Sequence, residues 1–167
     1  MFILKKKESF LSNLRKRIKD LEEVGSVEVG YFQEQGLYKS PRPVKTPYNI
    51  TYPQLAAIQF GGSVKNNIPA RPVLDIAIYL NPVSRNTVVK NVLKKYLSNI
   101  KNKTPTISAK QVFEVIGGEY VEKARGLFGS SYLDELQPST IKNKTRIGAP
   151  YTTQPLLEWG TLRAGMS

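Results

Sequence analysis

The 167-residue chain contains no cysteine and no histidine. The first absence removes disulfides, thiol nucleophiles and thiolate metal ligands. The second removes every imidazole base, and the two together remove Cys/His zinc sites. Catalysis would have to rest on carboxylates, Lys, Tyr or Ser alone, so the expectation is a non-enzyme with no catalytic residue, no cofactor and no metal. Long apolar runs are lacking as well. Ile76-Ala77-Ile78-Tyr79-Leu80 is representative of the longest, far short of the roughly 20 residues a spanning helix needs, so no membrane partner is expected. Met1-Phe2-Ile3-Leu4 precedes Lys5-Lys6-Lys7, the reverse of the order in a secretory signal. The missing cysteine fits a reducing interior, and synthesis in a cytoplasm is expected.

Negative charge is scarce: 13 Asp+Glu stand against 25 Lys+Arg, a net charge of +12 and an isoelectric point near 9.9. An apolar fraction of 40% with 16 aromatics (9 Tyr, 6 Phe, 1 Trp) argues for a folded chain. The length suits a single domain over residues 1–167.

Residues 8–23 carry Phe10, Leu11, Leu14, Ile18 and Leu21 on one stripe of a 3.6-residue period, with Ser9 as cap and Gly25 as stop. Val27-Glu28-Val29-Gly30-Tyr31-Phe32 alternates and predicts a half-buried strand. Residues 33–50 have no period and several prolines, which predicts a long exposed loop or hairpin arm, a length that tends to be functional. Thr51 caps a short helix with Pro53 in its first turn and Leu55, Ala56, Ile58 and Phe60 on its buried side; Gly61-Gly62 ends it. After the extended Ile68-to-Pro72 segment the chain can turn helical. A helix is expected from about Arg85 to Lys101 and another from Ser108-Ala109-Lys110-Gln111, a capping box, to Phe128. Gly117-Gly118 predicts a kink or a break in the latter. Residues 138–144 suggest one more short helix with a basic face. The fold class expected is α+β: a small antiparallel sheet packed against several helices, with a long extended arm.

The segment from Arg85 to Lys103 has no acidic residue. Arg85, Lys90, Lys94, Lys95 and Lys101 are therefore the candidate polyanion-facing residues, with nucleic acid or an acidic protein as partner; the plainer alternative is a solubilising face. Glu119 and Glu122 share a helical face at a spacing suited to a metal pair, but Lys123 and Arg125 beside them equally suit a solvated surface. Neither glycine pair lies in a phosphate-cradling context. Tyr31, Phe32, Tyr38, Tyr48 and Tyr52 flank the arm and suit protein contact at least as well as base stacking. The lone Trp159 suits a core or interface anchor.

The order of segments Val27–Phe32, Tyr52–Gly62, Ile68–Leu74, Pro138-Ser139-Thr140-Ile141 and Pro155-Leu156-Leu157-Glu158-Trp159-Gly160-Thr161-Leu162 resembles the tailed-bacteriophage virion-morphogenesis proteins, the neck, tail-completion or minor tail components. They carry a "VGxx" strand, a "YAxxxEFG" helix, an "IPxRPFL" turn, and later a Pro-x-Thr-Ile helix and a Pro-Leu-x-Asp-Thr-Gly-x-Leu motif. Gln59, Val73 and Glu158-Trp159 depart from that pattern. The resemblance, over about residues 26–165, implies a structural protein of the virion at the head–tail junction, present in the host cytoplasm during assembly. It implies a homo-oligomeric ring of six or twelve copies, contacting other neck, portal-adaptor or tail proteins, with basic residues that face either packaged DNA in the channel or an acidic portal or tail surface. Expected contacts are Tyr38, Pro41, Arg42, Pro43 and Tyr48 of the arm, Ile68, Arg71 and Leu74 of the turn, and Trp159, Leu162 and Arg163 near the end. The family often continues into strands beyond the final motif, so a neighbouring subunit is expected to complete the last residues. The rival reading is a basic nucleic-acid-binding protein.

Overall fold

The structure, a computed structural model, describes residues 2–39, 49–98, 100, 105–157 and 160–167, with side chains from residue 9 onward. Among them are seven α-helices: α1 (Phe2–Val24), α2 (Tyr52–Gly61), α3 (Val73–Leu80), α4 (Thr87–Leu97), α5 (Ala109–Leu127), α6 (Pro138–Arg146) and α7 (Thr161–Ala164). The expected antiparallel sheet is absent from the described residues; the only pairings are two isolated bridges, Leu37 with Thr51 and Ser63 with Ile68. The reason lies in the segment Val27–Phe32. Its alternation fits an extended chain half-covered on one side, but a strand also needs a partner ladder. Val29 and Tyr31 instead pack on helices, and Gly30 exchanges a single reciprocal pair of backbone hydrogen bonds with Ser167 (2.7 and 3.0 Å).

The chain divides into two compact units: Met1–Glu28 with Asn81–Glu119, and Val29–Leu80 with Tyr120–Ser167. The first is built from α1, α4 and the start of α5. Asn86 caps α4, its side chain accepting from Val88 N (2.9 Å) and Val89 N (3.2 Å). The capping box of α5 is present: Ser108 N donates to Gln111 Oε1 (2.8 Å) and Gln111 N to Ser108 Oγ (3.2 Å). Val92, Tyr96, Ala109 and Val112 form the core, with Leu21, Leu93, Leu97, Ile107 and Ile116 against it. Gly117-Gly118 neither breaks nor ends α5, which runs on to Leu127; the gain of a continuous hydrogen-bonded ladder exceeds the intrinsic penalty of about 1 kcal/mol per glycine.

In α1 the apolar stripe faces the core only in part: Leu21 packs on it and Leu14 is half-buried, but the rest is turned out. Phe10, Leu11 and Ile18 are 42%, 49% and 45% exposed, while Arg17 is 2% exposed. The helix is turned so that the Arg17 guanidinium donates to Tyr96 O and Ser98 O, at the end of α4, where carbonyls have no helical partner. The Tyr96 hydroxyl returns a bond to Arg17 O (3.1 Å), and the guanidinium stands 5.9 Å from the Tyr96 ring centroid.

The second unit has the larger core: Val73, Ala77, Val121, Ala124, Leu127, Phe128, Leu133, Leu157, Leu162 and Met166. Tyr31 stacks on Tyr52 (centroids 6.3 Å) and leans on Phe60 (6.0 Å), which meets Phe128 edge-on (6.2 Å). The base of the arm is closed by the Leu37–Thr51 bridge and by Tyr38 N donating to Ile50 O (2.8 Å).

Candidate functional site

A cavity of about 420 Å³ lies within the second unit. Segments remote in sequence wall it, each placed by a local device. Thr51 and Gln54 form a capping box at the start of α2 (2.9 and 3.4 Å), which presents Leu55 and Gln59 to the cavity. Gly62 ends that helix at φ 73°, where a Cβ would lie 2.7 Å from Ala70 N; only glycine fits such an approach. The turn that follows is closed by Ser63 N to Ile68 O (2.8 Å) and Ile68 N to Ser63 O (2.9 Å), setting Ile68, Pro69 and Arg71 in the wall.

Arg71 is 5% exposed. Its Nε and Nη2 donate to Asp134 O (3.3 and 3.2 Å), and Nη2 also to Glu135 O (3.4 Å), which fixes the chain just before α6. Burial pulls the guanidinium below its usual pKa, and the Asp134 carboxylate acts the other way. α6 begins with Pro138 behind Gln137, which makes no side-chain cap. Leu136, Gln137, Thr140 and Lys144 line the cavity from this side. Lys144 is 7% exposed, and its ammonium donates to three backbone carbonyls: Tyr151 O (3.1 Å), Gln154 O (2.9 Å) and Leu157 O. The loop so gathered delivers Leu156, Gly160, Thr161 and Leu162 to the remaining wall.

The chain end is held in the same unit. The Tyr31 hydroxyl donates to Leu162 O, the Gln35 amide to Gly165 O, and Arg125 Nη2 to Met166 O (2.7 Å). Burial pushes the Tyr31 phenol well above its usual pKa, with Arg125 opposing and Tyr52 adding to the rise.

Of the expected interface residues, Tyr38, Ile68, Arg71 and Leu162 are brought together around the cavity, whereas Leu74 and Arg163 do not line it. Tyr38 is half-buried, edge-on to Tyr52 at 5.4 Å. Arg71 and Leu162 are interior, Leu74 packs on the core, Ile68 lines the cavity, and Arg163 is exposed. Pro41, Arg42, Pro43, Tyr48 and Trp159 lie outside the described residues, as does Lys101. Arg85, Lys90, Lys94 and Lys95 are all exposed in the first unit. Glu119 accepts from Asn86 Nδ2 (3.4 Å) and Glu122 pairs with Arg125 (2.7 Å). Among the described residues no group of three acidic side chains is placed to hold a metal, and no helix is long and apolar enough to cross a membrane.

Two buried cations escaped the sequence reading. Arg17 stood on the charged face of the first helix and Lys144 on the basic face of the sixth, yet both are buried donors to carbonyls. Neither had a local signal: Thr140, which shares a helical face with Lys144, is itself exposed. Against known proteins, the chain matches no family model, no curated protein and no solved structure.

Proposed function

We propose that the protein is a structural subunit of a tailed-phage virion, a neck or tail-completion component that docks on copies of itself and on other head–tail junction proteins. The observation that carries this reading is where its ordered motifs fall. Tyr52–Gly62, Ile68–Leu74, Pro138–Ile141 and Pro155–Leu162 are far apart in sequence, yet each contributes to the wall of the same cavity in the second unit. Short motifs in a fixed order carry weight when one piece of tertiary structure needs all of them. The surface chemistry supports the reading from another side. Phe10, Leu11 and Ile18 expose an apolar strip on α1, and Arg85, Lys90, Lys94 and Lys95 expose a cationic one in and before α4. A head-to-tail contact between copies closes into a ring when its rotation divides a full turn, and cationic residues suit packaged DNA or an acidic neighbour.

Electron microscopy of purified virions and assembly intermediates tests this. The chain is expected at the head–tail junction, and its native mass, alone or with portal-adaptor and tail proteins, is expected to correspond to a closed ring of six or twelve copies. Particles holding every tail protein but lacking this chain would overturn the reading. The exposed α4 lysines favour one rival, a nucleic-acid-binding protein. It requires the free monomer to bind DNA or RNA with an affinity that falls steeply with salt, and a mobility assay at two salt concentrations separates the two.

A further inference from the structure

We propose that the cavity of the second unit is a binding site for an apolar carboxylate, received by the free edge of the Arg71 guanidinium. Two of the three guanidinium nitrogens are committed to Asp134 O and Glu135 O. The third, Nη1, has no hydrogen-bond partner among the described residues and is not sealed from solvent. No described carboxylate forms an ion pair with Arg71. A cation that is nine-tenths buried, lines a cavity and keeps two N–H groups unused offers them to an anion, because a charge-assisted hydrogen bond is stronger than a neutral one.

A second feature points the same way. Arg71 holds the residues that lead into α6, and the start of that helix opens on the cavity through Gln137 and Thr140 without a side-chain cap. The partial positive charge of a helix start favours an anion there, and the Thr140 hydroxyl adds a donor. Ile50, Leu55, Ile68, Leu136 and Leu156 give the wall an apolar portion, beside which stand the polar Gln59, Asn67 and Thr161. A volume of about 420 Å³ falls within the range of roughly 300–1,000 Å³ usual for ligand pockets. Lys144 lines the same space, but its hydrogens hold the 151–157 loop, so recognition falls to Arg71. A carboxylate oxygen can accept from the free Nη1, and an apolar body suits the apolar portion of the wall. The carboxylate can belong to a small free acid or to the end of a polypeptide. The site lies wholly in the second unit; the assembly reading invokes the same cavity, but acid binding by the free chain is measured without assembly.

The test is calorimetric titration of the purified full chain with octanoate, with N-acetyl-Ala-Ala-Leu bearing a free carboxylate, and with the amide of each. At least one acid is expected to bind at least about tenfold more tightly than its amide. Binding by the peptide acid alone assigns the site to a polypeptide end, and binding by octanoate alone to a small acid. Arg71→Met is expected to lose at least about tenfold in affinity. Because Arg71 also fixes the chain before α6, Thr140→Glu is the parallel variant. Thr140 is exposed in the first turn of α6, where a carboxylate favours the helix, yet the added charge is expected to abolish acid binding. The proposal is overturned if neither acid binds more tightly than about 1 mM, if the amides bind as well as the acids, or if Thr140→Glu binds like the parent chain.

Discussion

In one unit a buried cation serves the end of a helix; in the other it serves a loop. Arg17 reaches Tyr96 O and Ser98 O where α4 stops, and a helix end is a predictable place for carbonyls without partners. Lys144 gathers Tyr151 O, Gln154 O and Leu157 O from a stretch with no regular structure. Regular elements satisfy most of their own backbone groups, so the first unit needs such donors chiefly where α4 ends and just beyond, from Arg17 and from Asn13 to Ile100 O (3.0 Å). A loop satisfies few of its own, and a buried loop needs donors brought from elsewhere. The second unit accordingly also uses Arg71 on Asp134 O and Glu135 O, Arg125 on Met166 O, Gln35 on Gly165 O and Tyr31 on Leu162 O.

Breaking the loop side of this comparison is expected to have the larger effect. Lys144→Met removes three charge-assisted bonds and is expected to destabilise the protein by about 3 kcal/mol. Chemical denaturation measures the loss, and hydrogen exchange is expected to show protection falling first across residues 151–157. Arg17→Met removes two bonds and the contact with the Tyr96 ring, for about 2 kcal/mol. There the lost protection is expected at the end of α4, and loss spread evenly over the chain would contradict the comparison.

Each unit also holds a phenol whose titration is raised by burial. Tyr31 and Tyr96 both titrate above their usual 10.0: burial dominates in each, opposed by Arg125 and Arg17 respectively, and supplemented by Tyr52 for Tyr31 and Asp20 for Tyr96. A folded-state pKa above the unfolded value means stability is complete below about pH 10 and is lost as pH rises past it, because the unfolded chain ionises first. Tyr31→Phe is expected to cost about 1 kcal/mol at neutral pH, through the bond to Leu162 O, and to flatten the alkaline loss. Denaturation midpoints at pH 8 and above pH 10 check both. The smallest effect has the opposite sign. A Cβ at Gly118 meets nothing within 4 Å inside α5, so Gly118→Ala is expected to stabilise by about 0.8–1 kcal/mol, read as a higher denaturation midpoint.

The helices were legible where caps and period agreed. Thr51 with Gln54, Ser108 with Gln111, and Gly25 behind Leu21 all mark ends that the structure keeps. The strand expected at Val27–Phe32 was not, because alternation reports one covered side and says nothing about a neighbouring ladder. The stripe of α1 misled for a related reason: it identifies a helix, but which face turns inward depends on what waits there, and here an arginine with two carbonyls to bind takes that place. Of the candidate site, Ile68 and Arg71 were singled out from their turn. Their common cavity with Thr140 and Leu156 was not foreseeable, since nothing local links residues so far apart.

The sequence by itself determined the helices, their caps, the strongly cationic balance and the chemistry removed by the lack of cysteine and histidine, because all of these depend on residue types within a few positions of one another. Only the tertiary structure decided that no sheet forms among the described residues, that Arg17 and Lys144 turn inward, and that Arg71 keeps one edge open to a cavity. Those outcomes depend on which backbone carbonyls are left without partners once the helices pack, and that is known only when the whole chain is in place.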